Sequence, residues 1–175
     1  MISDEDLMAS TAQGDTNAFE QIVLRYQDAV WRVACRFVGN SVDAQDITQT
    51  AFLKLFEAAP RYQPTAMLKT YLFRIVHTTC IDYSRKHRPA ILDDPTDVSD
   101  NSPSAIDALM VKERYATLTQ GIESLPLRQR SAILLRYEAD LSIREISNIL
   151  PATEKAVERL LARGRNALST FLKDT

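Results

Sequence analysis

The chain has 175 residues, 45% of them apolar and 25% charged, a net charge of −2, and only four glycines and seven prolines. That length holds one ordinary domain or two small ones, and long stretches without turn formers argue against a strand-rich protein and for an all-α one. Its two cysteines, Cys35 and Cys80, both sit inside apolar helical patterns, which excludes a disulfide framework and points to reduced thiols in a cytoplasmic protein. The acidic start Ser3-Asp4-Glu5-Asp6 lacks the basic, then apolar, run of a secretory signal. No apolar stretch approaches the ~20 residues of a bilayer span, so membrane insertion is not expected.

Ser3, with Asp6 three residues on, can cap a short first helix whose apolar face is Leu7, Met8 and Ala12 and which ends near Gly14. From Asp15 the apolar positions Phe19, Ile22, Val23, Tyr26, Val30, Val33, Ala34 and Phe37 recur at three- and four-residue steps, predicting a long amphipathic helix up to Gly39-Asn40. Ser41 is the expected cap of a third helix. In it Val42, Ile47, Ala51, Phe52, Leu55 and Phe56 should face inward, and Asp43, Gln45, Asp46, Gln49, Thr50 and Lys54 outward. After Pro60 and Pro64 a fourth helix is predicted from about Ala66 to His87, with Leu68, Leu72, Ile75, Val76, Thr79 and Tyr83 inside and Lys69, Arg74, Arg85 and Lys86 outside. These four helices make a first domain over residues 1–88.

Residues 89–107 carry Pro89, Pro95 and Pro103 among polar side chains without helical or strand period, the composition of a flexible linker. Charge marks the same boundary. Residues 61–88 hold 6 basic and 1 acidic side chains, residues 89–107 hold 5 aspartates and no base, and residues 108–175 hold 11 basic and 8 acidic. Two basic segments thus flank an acidic tether, a pattern that the overall charge conceals. The second domain, over 108–175, should begin in a helix from about Ala105 to Glu123, followed by another starting at Pro126.

Its last two helices carry the strongest local signal. Ser142 and Glu145 form a capping box before Ile143, Ile146 and Ile149, and Thr153 caps the next helix after the turn Leu150-Pro151-Ala152. Val157, Leu160 and Leu161 can bury against the isoleucines, leaving Lys155, Glu158, Arg159, Ala162 and Arg163 outside. That is helix-turn-helix architecture with a basic second helix available to a DNA major groove. In the fourth helix, Tyr71, Phe73 and Tyr83 interleave with bases, the combination that binds single strands through stacking and phosphate charge. Core packing is the competing use of each of those aromatics.

The run Leu125-Pro126-Leu127-Arg128-Gln129-Arg130 through Leu134-Leu135-Arg136-Tyr137 and Leu141-Ser142-Ile143-Arg144-Glu145-Ile146 resembles the fourth region of sigma factors. Asp43-Ala44-Gln45-Asp46-Ile47-Thr48-Gln49-Thr50-Ala51-Phe52-Leu53-Lys54 resembles their second-region helix that docks on the polymerase clamp, and Lys69-Thr70-Tyr71-Leu72-Phe73-Arg74-Ile75 with Ile81-Asp82-Tyr83-Ser84-Arg85-Lys86 resembles the helix that melts and reads the minus-10 element. The resemblance spans nearly the whole chain without large insertions, which is the compact pattern of the extracytoplasmic-function (ECF) group. Tyr71 stands where that group usually has tryptophan, Pro151 where the turn commonly has glycine, and Glu158 where a base is frequent.

The resemblance implies a two-domain all-α factor, not an enzyme, whose partners are core RNA polymerase, promoter DNA and an anti-sigma factor. It implies minus-35 contacts by Lys155, Glu158, Arg159, Ala162, Arg163 and Arg165, and minus-10 contacts by Lys69, Tyr71, Arg74, His77, Thr78, Arg85 and Lys86. Asp43, Gln45, Asp46, Gln49, Thr50 and Lys54 are the implied polymerase-binding set, and the loop at about Arg61 to Met67 should accept a flipped base. Asp93, Asp94, Asp97, Asp100 and Asp107 give the tether the character of an extended polyanion that can imitate a nucleic-acid strand. The residues by themselves leave open a dimeric helix-turn-helix regulator or an adaptor that binds only protein. No cofactor or metal is expected: His77, Cys80 and Cys35 lack a fourth zinc ligand, and phosphate-loop and nucleophile motifs are absent.

Overall fold

The computed structural model describes residues 2–87 and 116–173, which form helices and no strand. The expected acidic linker and the start of the helix expected from Ala105 lie outside the described residues. In chain order the helices are α1 (Asp4–Ala12), α2 (Thr16–Val38), α3 (Ser41–Ala58), α4 (Leu68–His87), α5 (described over 116–123), α6 (Leu127–Tyr137), α7 (Ile143–Ile149) and α8 (Glu154–Lys173). A 3-10 turn, Ala59–Arg61, separates α3 from the loop before α4. Among the described residues no helix is long and apolar enough to cross a membrane.

Most boundaries are set by the expected side chains. Ser3 accepts from the Asp6 N–H, and Asp15 from the N–H groups of Asn17 and Ala18. Gly39 ends α2 at φ 81°, a conformation open to glycine without cost. Two caps differ from expectation. Asn40, not Ser41, caps α3, its Oδ1 accepting from Asp43 N at 2.8 Å, because an amide one residue earlier can reach the same orphan N–H. Pro126 is itself the extended cap of α6 and not its first helical residue.

The first bundle packs α2 against α3 and α4, with α1 across α2. Ile22, Phe37, Leu55, Leu72 and Phe73 are fully buried or nearly so at its centre. Burying each such side chain contributes about 1.5–3 kcal/mol. In the second bundle α6 and α7 pack on α8 around Leu134, Leu135, Ile146, Val157 and Leu161. Gly164 permits that packing, since a Cβ there would stand 2.8 Å from Ile133 Cγ1.

Val42 is 70% exposed and Phe56 40%, against the inward placement expected of both. At 3.6 residues per turn the side of α3 that meets α2 and α4 carries Ala44, Ile47, Ala51 and Leu55; Val42 projects from the opposite side, and Phe56 sits at the margin, its ring edge-on to Phe19 of α2 with centroids 5.0 Å apart. Phe73, which could have stacked on a base, is wholly core. The two bundles also meet: α4 lies against α7, the end of α2 against α6, and buried side chains of both belong to one continuous core.

Candidate nucleic-acid interface

The helix-turn-helix is built as its sequence requires. Ser142 Oγ accepts from Glu145 N at 3.2 Å while Glu145 Oε2 accepts from Ser142 N at 2.8 Å, closing the capping box, and Thr153 Oγ1 accepts from Ala156 N at 3.2 Å to start α8. Leu150 and Val157 are buried beneath the turn. With that side of α8 packed inward, Lys155, Glu158, Arg159 and Arg163 are exposed and Ala162 is half-buried. Arg165 is exposed but turns back to donate to the Tyr137 hydroxyl at 3.2 Å. Arg128, which the helical pattern did not single out, joins the face: with Ala156, Arg159, Leu160 and Arg163 it lines a shallow cleft of about 200 Å³, and it donates to the Pro151 carbonyl of the turn at 3.3 Å. Three guanidiniums around one cleft make an anion-seeking surface of the kind that meets DNA phosphates.

The basic face of α4 is placed differently. Thr78, Arg85 and Lys86 are exposed. Lys69 Nζ, however, donates to the Asp140 carbonyl at 3.1 Å, Arg74 to the Asn148 carbonyl at 2.9 Å, and Thr70 to Glu145 Oε1 at 2.9 Å. His77 Nε2 and Ser131 Oγ share a hydrogen bond of 3.0 Å, and burial pulls the His77 pKa down to about 4. Burial also raises Glu145, yet the hydrogen bonds from Ser142 and Thr70 outweigh it and leave the carboxyl below its ordinary value, with Lys69 adding to the effect. Tyr71 is half-buried, its ring edge-on to Tyr62 with centroids 5.3 Å apart. Tyr62, Gln63, Thr65, Ala66, Tyr71 and Arg74 line a cavity of about 240 Å³ beside the 61–67 loop, and Asn148 of α7 completes its wall.

On α3, Gln45, Asp46, Gln49 and Thr50 are exposed as expected. The same outward stripe also presents Val42, Leu53 at 57% exposure and Phe56, so the face mixes apolar and amide groups. Lys54 is exposed as expected and Asp43 half-buried, and both tie α3 to α4: Asp43 accepts from the Tyr83 hydroxyl, and Lys54 Nζ donates to Thr79 Oγ1 at 3.2 Å. The bond from Tyr83, then that from Asn40, holds the Asp43 carboxyl below its ordinary value.

The family description Sigma-70 region 2 matches residues 22–90, and Sigma-70, region 4 matches residues 115–168. The chain is 31% identical over 173 residues to the ECF RNA polymerase sigma factor SigW of Bacillus subtilis (strain 168), covering 93% of this chain and 92% of that one. This chain belongs to the ECF sigma factors of the sigma-70 family. It is also 30% identical to the ECF RNA polymerase sigma-E factor of Escherichia coli (strain K12), over 95% of this chain and 93% of that one. The structure of CnrH in complex with the cytosolic domain of CnrY matches at a TM-score of 0.76 and 25% identity, covering 98% of this chain and 97% of that one.

As a sigma factor, the chain carries its region 2 match on α2–α4 and its region 4 match on α5–α8. The two basic surfaces therefore lie one in each region. Sequence reasoning missed Arg128 and the apolar stripe of α3. Arg128 belongs to a helix that was not divided into faces from the sequence, although its place in the first turn of α6 was the available signal. Of that stripe, Val42 and Phe56 were assigned inward because hydrophobicity alone stood for burial, and Leu53 was assigned to neither face.

Proposed function

We propose that this sigma factor binds core RNA polymerase through the outward face of α3, reads the minus-35 element with α8, and reads and opens the minus-10 element with α4. The observation that carries this reading is a capped, outward-facing α8 on one bundle together with a second basic and aromatic face on another, which suits one protein touching duplex and single strand at separate places. Lys155, Glu158, Arg159, Ala162, Arg163 and Arg165 are the proposed minus-35 set, and Arg128 is added to it by the shared cleft. Lys69, Tyr71, Arg74, His77, Thr78, Arg85 and Lys86 are the proposed minus-10 set, with the Tyr62–Tyr71 cavity offered to an unstacked base. For the polymerase, Gln45, Asp46, Gln49 and Thr50 supply hydrogen bonds, and Val42, Leu53 and Phe56 supply apolar area.

The domain boundary is placed in residues 89–107, and the chain supplies no catalytic group, the chemistry of RNA synthesis being the polymerase's. It acts in the cytoplasm, where polymerase and promoter are. A protein that restrains it, an anti-sigma factor, is a further proposed partner, in keeping with a similarly folded relative seen in complex with the cytosolic domain of CnrY.

In vitro transcription with core polymerase on genomic fragments tests the reading. Initiation at discrete sites only when the chain is added is the expected result. Binding of the chain to DNA fragments with no gain of initiation would reject it.

A further inference from the structure

Helix α1 lies outside the region 2 match, which begins at residue 22 within α2, and at 9 residues it is too short to hold its shape unaided. Two sets of contacts dock it. Leu7, Met8 and Thr11 are buried on its inner side, where it packs on α2 and on the 3-10 turn Ala59–Arg61. At its first turn one oxygen of the Asp4 carboxylate accepts from Arg25 at 2.7 Å and the other from the Tyr26 hydroxyl, while Arg25 also donates to the Ile2 carbonyl at 2.9 Å. Burial, then the bond to Asp4, raises the pKa of the Tyr26 hydroxyl, so that it stays a donor.

The turn that α1 covers is the root of the cavity beside the 61–67 loop. Buried Ala59 accepts from the Tyr62 N–H at 3.2 Å, and the Tyr62 hydroxyl donates to the Ala66 carbonyl at 3.2 Å. Tyr62 therefore ties the loop from its fixed end to its far end, and the same ring stands edge-on to Tyr71 and walls the cavity. The residues between have little else to hold them, since Gln63, Pro64, Thr65, Ala66 and Met67 are all exposed. The acidic first turn of α1 also acts on that ring: burial first, then the carboxylates of Glu5 and Asp4, raises the Tyr62 pKa. Asp4 is not among the residues that line the cavity, so it can act on a base there only through the turn or through its field.

We propose that α1 is a positioning element of the strand-reading site: anchored to α2 by Asp4, it holds Ala59–Arg61 in place, fixes Tyr62, and so sharpens the preference for one base in the Tyr62–Tyr71 cavity without touching the strand. Asp4 and Tyr26 are positioning residues that act through Tyr62. A cavity whose walls are fixed rejects the wrong base, whereas loose walls re-pack around several, so the anchor governs discrimination more than affinity. The inference rests on the cavity assignment made above.

The test uses holoenzyme assembled from the full chain and core polymerase, on a promoter found among genomic fragments and then varied to all four bases at each minus-10 position. Initiation rates at limiting DNA give the base preference at each position. Tyr62→Ala should flatten the preference at one position and so mark the base that the cavity holds. Tyr26→Phe, which removes a bond and no charge, and Asp4→Asn should each flatten that same position by about three- to tenfold. Both should leave the other minus-10 positions, the minus-35 preference and the affinity for core polymerase at wild-type values. Glu5→Gln removes an exposed charge of the same sign near Tyr62 and leaves the anchor intact, so it should change none of these. A uniform loss of initiation over all bases and positions in Tyr26→Phe would make α1 a stabilising brace only, and overturns the inference. Flattening by Glu5→Gln as large as that by Asp4→Asn overturns it too, because it traces the effect to the field of the acids. If Tyr62→Ala flattens a position that Tyr26→Phe and Asp4→Asn leave sharp, the inference fails and the cavity assignment stands. If Tyr62→Ala flattens none, the cavity assignment has failed and takes the inference with it.

Discussion

The two basic surfaces of this sigma factor were read from similar signals, cations at helical spacing, and the fold treats them in opposite ways. The α8 cations stand on the outer side of a helix whose inner side is fixed by Val157, Leu161 and Gly164. Two α4 cations, Lys69 and Arg74, instead end on carbonyls of the α6–α7 turn and of α7. The difference lies in what surrounds each helix. Among the described residues α8 packs chiefly on α6 and α7, whereas α4 has α2 and α3 on one side and α7 on another. Periodicity reports which side of a helix is polar; it does not report whether that side meets water or another polar surface.

The largest effect should come from within α4. Phe73 is completely buried, so Phe73→Ala should cost about 3–5 kcal/mol of stability, read by urea denaturation. Tyr71→Ala, at a half-buried ring that lies edge-on to Tyr62 at the margin of the core, should cost much less in stability while lowering permanganate reactivity of the minus-10 region. Equal losses of stability in the two variants would remove the distinction between a core aromatic and a reading one.

The next effect belongs to α8. Arg159 is exposed and lines the cleft with Arg128 and Arg163. Arg159→Ala should cost about 1–3 kcal/mol on the matching minus-35 sequence and much less on scrambled duplex. The same loss on both, measured by anisotropy at fixed salt, would make it a phosphate contact.

All-α architecture, the four-helix first bundle, the capping box and the turn before α8 were legible in the sequence because each is a local matter of period and cap chemistry. Asp43 shows where legibility ends: it is polar and was assigned outward, yet it is half-buried and accepts from Tyr83 on α4, while Lys54 stays exposed and still reaches Thr79. Ser131, Arg130 and Glu138 carry contacts to residues that lie about 50 to 100 positions away in the sequence, and nothing in their neighbours along the chain announces it. Val42, Leu53 and Phe56 reverse the usual rule, since an apolar residue on an outer stripe is visible only once the inner stripe is known.

The contact between the bundles should answer to pH. His77 has a pKa of about 4 where it meets Ser131 of α6 because burial disfavours its charge, and with the bundles apart it returns toward the ordinary 6.5. A depressed pKa in a cationic group means that the packed arrangement binds fewer protons than the parted one. Packing is therefore at full strength above pH 6.5 and weakens as pH falls from 6.5 toward 4, about tenfold per pH unit. Other ionisable side chains at this contact are Lys69, Arg74, Glu145, Arg130, Glu138 with Arg32 and Arg36, and Glu123, whose carboxylate lies against Gly39. Of these, Glu145 is held below its ordinary value and its contact with Thr70 is likewise weakened only by acid. Scattering between pH 7.5 and 5 should show expansion on acidification, and His77→Gln, which keeps a polar group without the titration, should abolish most of it.

The smallest effect separates phosphate contacts from base contacts along one helix. Lys155, Arg159 and Arg163 follow one another at four-residue steps, so they share a side of α8, but a lysine ammonium in the first turn is a mobile point charge with no planar fork to match a base edge. Lys155→Ala should weaken binding to matching and scrambled duplex by the same few-fold factor and reduce the slope of log affinity against log salt by about one. Glu158 lies beside it on the exposed face and, as an anion, can only accept, so Glu158→Ala should tighten binding to scrambled duplex while lowering preference for the matching one. A Lys155→Ala loss confined to the matching sequence would move that residue into the base-reading set and leave the α8 face without a purely electrostatic member at its start.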